Sequence, residues 1–85
     1  LSLLPNSLQE LYCHENFIKE LPLLPKSLKI LICNFNKLKE LPLLPNSLQA
    51  LYCHENDLNE LPLLPKSLKI IMYKNNLFIQ VNLFI

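Results

Sequence analysis

Leu21-Pro22-Leu23-Leu24-Pro25-Lys26-Ser27-Leu28-Lys29-Ile30-Leu31-Ile32-Cys33-Asn34-Phe35-Asn36-Lys37-Leu38-Lys39-Glu40 decides the fold, because the chain writes this phrase, with substitutions, four times over. The copies run 1–20, 21–40, 41–60 and 61–80, on the frame Leu-Pro-Leu-Leu-Pro-x-Ser-Leu-x-x-Leu-x-Cys-x-x-Asn-x-Leu-x-Glu. A fixed period of this length marks a repeat array in which each unit buries its apolar face against its neighbours. A second period overlies the first. Copies 1 and 3 carry Asn-Ser-Leu-Gln where copies 2 and 4 carry Lys-Ser-Leu-Lys, as expected of a duplicated two-copy unit. The alternation keeps Lys26 and Lys29 two copies away from Lys66 and Lys69, about 10 Å instead of about 5 Å, and like charges side by side repel.

Within a copy, Leu11-Tyr12-Cys13 alternates in-out-in, the period of a short strand with one face buried. The triplets Leu31-Ile32-Cys33, Leu51-Tyr52-Cys53 and Ile71-Met72-Tyr73 repeat it, so four parallel strands about 4.8 Å apart are expected. The return connection carries paired prolines (Pro22 and Pro25, Pro42 and Pro45, Pro62 and Pro65), which rules out regular helix and favours an extended, polyproline-like path. A single helical turn at Pro5-Asn6-Ser7-Leu8 is allowed, since Pro fits the first position of a helix. Glycine is absent, so proline and asparagine are expected to carry the turns.

Taken together, Leu-Pro-x-Leu-Pro-x-x-Leu-x-x-Leu-x-Cys-x-x-Asn-x-Leu resembles the short, bacterial type of leucine-rich repeat. That type is found in secreted effectors of enteric pathogens, with similar arrays in giant viruses and amoeba-associated bacteria. The resemblance spans residues 1–80. It implies an α/β solenoid by convention: a right-handed superhelix, a parallel sheet on the concave face, extended convex returns and little or no helix. Some such effectors carry a separate ubiquitin-ligase domain; nothing here corresponds to it, and that activity is not carried over. The departures are Ser2 in place of the first proline, Tyr73 in place of cysteine, and Asn82 and Ile85 where a fifth copy would place its prolines. Neither end shows the polar cap that repeat arrays use. Residues 1–85 therefore read as one array with a partial fifth rung at 81–85, either a piece of a longer array or a small unit whose ends something else covers.

Composition narrows the function. The net charge is +1, lysine supplies all eight positive charges and arginine is absent, which argues against nucleic-acid binding. No apolar run approaches the roughly 18–20 residues of a membrane span, and no targeting segment is legible. Cys13, Cys33 and Cys53 stack in one inward column, a line and not the tetrahedron a metal needs, so they read as core side chains. Three unpaired thiols lean towards a reducing compartment, cytoplasm or host cytosol. Asn16, Asn36, Asn56 and Asn76 form a ladder expected to satisfy backbone groups of the adjacent turn. His14-Glu15 and His54-Glu55 are separated by a copy and have no nucleophile on their face, so they read as surface contacts and no catalytic, metal or cofactor site is expected.

The outward strand positions are the informative ones. Glu10-Tyr12-His14, Ile30-Ile32-Asn34, Ala50-Tyr52-His54 and Ile70-Met72-Lys74 mix Ile, Met and Tyr into a face that solvent alone would make polar. Apolar patches rimmed by polar groups mark interaction surfaces, although β-propensity by itself also favours Ile and Tyr in strands. Tyr12, His14, Ile30, Ile32, Phe35, Tyr52, His54, Met72 and Lys74 are the expected partner contacts. The function expected is a non-enzymatic module that binds a protein partner through its concave sheet face. The other reading is a structural unit that stacks head-to-tail into a fibre, because heterologous contacts that do not close make filaments.

Overall fold

The computed structural model describes residues 3–77. The expected partial fifth rung at 81–85 and the tail residues before it lie outside these. Among the described residues there is no helix. Each repeat contributes one three-residue strand: β1 (Glu10–Tyr12), β2 (Ile30–Ile32), β3 (Ala50–Tyr52) and β4 (Ile70–Met72). They form a single all-parallel sheet in the order β1-β2-β3-β4, in which Leu11 pairs with Leu31, Leu31 with Leu51 and Leu51 with Ile71. Every pairing is therefore offset by one full repeat, as the sequence period requires. This arrangement is consistent with the small parallel-sheet solenoid expected of stacked rungs.

The core lies behind the sheet. Leu28, Leu31, Cys33 and Leu38 of the second repeat and Leu48, Leu51, Cys53 and Leu58 of the third have no exposed surface. Their counterparts Leu8, Leu11 and Ile18, and Leu68, Ile71 and Tyr73, are only partly buried against this cluster. Burial of a leucine is worth about 1.5–3 kcal/mol, so the two inner repeats supply most of the apolar stabilisation.

The returns are extended, as the prolines dictate. Their one tight feature is a turn at each Pro-x-Ser-Leu, where the N–H of Leu8, Leu28, Leu48 and Leu68 donates to the carbonyl of Pro5, Pro25, Pro45 and Pro65 at 3.1–3.2 Å. The helical turn allowed by the sequence is thus a single β-turn that goes no further.

Two polar ladders tie the repeats together. Asn36 Nδ2 donates to the carbonyls of Cys13, Cys33 and Asn34, while its Oδ1 accepts from the N–H of Asn16 and Ile18. Asn56 and Asn76 repeat the pattern, accepting from Leu38 N and Leu58 N. The expected role is met, with the addition that Asn36, Asn56 and Asn76 each serve two repeats at once. The second ladder is built from serine: the hydroxyls of Ser27, Ser47 and Ser67 donate to the carbonyls of Leu8, Leu28 and Leu48, each at 2.6 Å. In both ladders a side chain serves the repeat before its own.

The turns after the strands are held by asparagine from a neighbouring position. Their left-handed position falls on Glu15, Phe35, Glu55 and Asn75, with φ of 56–59°, so asparagine occupies it only once. A non-glycine residue pays about 1–2 kcal/mol for that conformation. The ladder asparagine next in sequence holds the turn by bonding back to the two preceding carbonyls, as Asn16 does to Cys13 and His14. That clamp replaces the glycine the chain lacks.

Candidate surface for partner recognition

Strand alternation sends residue 12 and its equivalents outward. The register places Tyr12 beside Ile32, Ile32 beside Tyr52 and Tyr52 beside Met72, a single column across all four strands. Tyr12 and Met72 at its ends are 55% and 42% exposed, and the two central members are half-buried by their neighbours. Ile30 and Ile70 flank the column, and Ala50 between them is buried, since a methyl group cannot rise between two isoleucines. Ala50 is therefore not an outward contact.

The tyrosines differ in setting. Tyr12 Oη donates to Glu10 Oε1 at 3.0 Å. That hydrogen bond, with the nearby negative charge, raises the Tyr12 pKa above its ordinary range. Tyr52 has Ala50 at the equivalent place and turns instead to His54, ring centroids 6.5 Å apart. His54 in turn meets Phe35 edge to face at 5.7 Å. Its Nδ1 is buried without a hydrogen-bond partner, and buried polar atoms seldom lack one. His14 and Lys74, at the outer repeats, are exposed.

Nine residues were expected to form the contact surface. The structure joins Tyr12, Ile30, Ile32, Tyr52 and Met72 on the sheet, places His14, His54 and Lys74 just past the strand ends, and sets Phe35 in the turn beyond them. Among the described residues no cluster of three or more His, Cys, Asp or Glu is placed to hold a metal ion, and no helix is long and apolar enough to cross a membrane.

One surface escaped sequence reasoning. Leu3, Leu23, Leu43 and Leu63 are 73–90% exposed, an apolar ridge along the proline-rich returns. The signal was present, since this position is leucine in every copy, but the frame Leu-Pro-Leu-Leu-Pro reads as uniformly core by hydropathy. The leucines on either side of that position, Leu21 and Leu24 in the second copy and Leu41 and Leu44 in the third, turn inward. An open groove of about 520 Å³ lies along the ridge between Leu43, Leu63, Leu64 and Lys66. Changing Leu23 and Leu43 together to glutamine is expected to leave the thermal midpoint within a few degrees, since exposed side chains contribute about 0.5 kcal/mol or less, and to reduce adsorption to phenyl resin. A large drop in midpoint would mean that the ridge is packed.

No protein-family model matches this chain, and comparison with curated proteins gives no match. The functional reading therefore rests on the residues themselves.

Proposed function

We propose that this chain is a non-enzymatic recognition module of the leucine-rich-repeat kind, binding a protein partner through the open, concave face of its sheet. The observation that supports it is the continuous column Tyr12–Ile32–Tyr52–Met72, apolar and aromatic, flanked by Ile30 and Ile70 and rimmed by Glu10, His14 and Lys74. Tyr and Met are enriched in interface cores, and aromatic anchors near an interface centre cost about 2 kcal/mol or more when truncated. The test is the double variant Tyr52→Ala/Ile32→Ala. It is expected to weaken capture of the native partner at least about tenfold, with little change in thermal midpoint, whereas Lys26→Ala on the far side changes neither. Undiminished binding by the double variant, or its unfolding, would overturn this reading.

A second reading, head-to-tail assembly, draws support from the one-way polarity of the ladders. Because Asn36, Asn56 and Asn76 and Ser27, Ser47 and Ser67 each serve the repeat before their own, the equivalent side chains of Ser7 and Asn16 bond to no other repeat among the described residues and could serve a repeat of another copy. Light scattering on the purified chain separates the two: polymers growing at micromolar concentration favour assembly, and a persistent monomer favours recognition.

A further inference from the structure

Five non-glycine residues have left-handed backbone, and four of them, Glu15, Phe17, Phe35 and Glu55, line one groove of about 380 Å³ beside the sheet. Glycine or asparagine would hold these turns at lower cost, and core packing does not explain the choice: Phe17 and Phe35 are 76% and 51% exposed. Bulky side chains kept at costly positions without burial point to a use at the surface.

The chemistry of the groove is specific. The Glu15 N–H donates to Asn34 O, that of Phe35 to His54 O and that of Glu55 to Lys74 O, so the three groove residues follow one another in consecutive repeats, phenylalanine in the middle position and a glutamate on either side. A cation is already held here, since Lys37 Nζ sits over the Phe17 ring, 5.7 Å from its centroid. Aromatic faces attract cations, and carboxylates on either side add charge and acceptors.

The geometry points to a binding site for a guanidinium, presented by an arginine of a partner protein, stacked on Phe35 between Glu15 and Glu55. A planar guanidinium can lie on the ring while donating to both sides, which the compact ammonium of a lysine cannot do. Lys37 is the internal competitor: its charge opposes a second cation in the same groove. The site lies beyond the Tyr12–Met72 column and does not depend on that column binding anything.

The test uses Nα-acetyl-arginine amide as ligand, its citrulline counterpart as the uncharged isostere, and the aromatic NMR signals of Phe17 and Phe35 as readout. Arginine is expected to give saturable shifts and citrulline none. Phe35→Leu and the pair Glu15→Gln/Glu55→Gln should each weaken binding about two- to five-fold or more. Lys37→Gln should strengthen it by a similar factor, a gain that loss of folding cannot imitate. Tyr52→Ala/Ile32→Ala should bind arginine as the parent does, so failure here and failure of the sheet-face reading are separable. Equal binding of citrulline, absence of saturable shifts, undiminished affinity in Phe35→Leu, or no gain in Lys37→Gln would each overturn the assignment.

Discussion

Replacing Asn36 by alanine is expected to leave the chain largely unfolded at room temperature, while the same change at Asn16 costs about 1 kcal/mol. Asn36 is buried and makes five hydrogen bonds, all to backbone: three donated, to Cys13 O, Cys33 O and Asn34 O, and two accepted, from Asn16 N and Ile18 N. Alanine supplies none of these. A buried backbone group left without a partner costs about 1–3 kcal/mol; here the N–H groups of Asn16 and Ile18 lose Asn36 Oδ1 as acceptor, and Cys13 O and Cys33 O each lose one of two side-chain donors, keeping those of Asn16 and Asn56. The loss is therefore about 3–6 kcal/mol, comparable with the whole stability expected of a small domain, which is of order 0.05–0.15 kcal/mol per residue. Asn16 is exposed, and its amide reaches only the carbonyls of its own turn, where water can replace it. Asn36→Asp should fall between, since it keeps the acceptor and loses the donor. Urea titrations followed by circular dichroism check the order. Equal losses at Asn16 and Asn36 would show that the bonds between repeats carry no special weight.

The strands and the ladder were legible because each depends on a short pattern repeated in register. Leu-x-Cys fixes which side chains face inward, and one period then fixes every pairing in the sheet. The column from Tyr12 to Met72 follows from the same alternation. The groove at Phe17 and Phe35 did not follow, because it depends on turn conformation, and Glu and Phe give no sign of left-handed backbone where Gly or Asn would. Leu23 and Leu24 show a different limit. Adjacent identical residues in an extended, proline-bound return face opposite ways, and nothing in their hydropathy says which is outside. The serine ladder could have been found: a hydroxyl kept at one position of every copy, next to a proline turn, needs a backbone acceptor within reach.

Raising the pH from 9 towards 12 is expected to unfold the chain through its cysteine column. All three thiols are free and buried. Burial pushes the Cys53 pKa from its ordinary 9.0 up to about 12, and that of Cys33 higher still, with neighbouring Cys53 and Cys13 adding to the rise. Burial raises Cys13 as well. A thiol harder to ionise when folded than when unfolded stabilises the fold fully below pH 9. That contribution is lost as the pH climbs from 9 through the folded-state value, because only the unfolded chain can release the proton there. At about 1.36 kcal/mol for each pH unit, Cys53 alone withdraws about 4 kcal/mol between pH 9 and 12. The unfolding free energy should thus stay flat from pH 7 to about 8.5 and then fall steeply. Cys33→Ala/Cys53→Ala should begin less stable, by about 2 kcal/mol for the lost packing, yet show a much shallower fall. Thiol reagents report the same physics at neutral pH, since the thiolate is the nucleophile. Cys33 and Cys53, with no exposed surface, should react slowest and the 6%-exposed Cys13 fastest, and all three quickly in denaturant. An alkaline fall as steep in the double alanine variant as in the parent would assign the transition to other groups, and rapid native labelling of Cys33 would place that side chain outside the core.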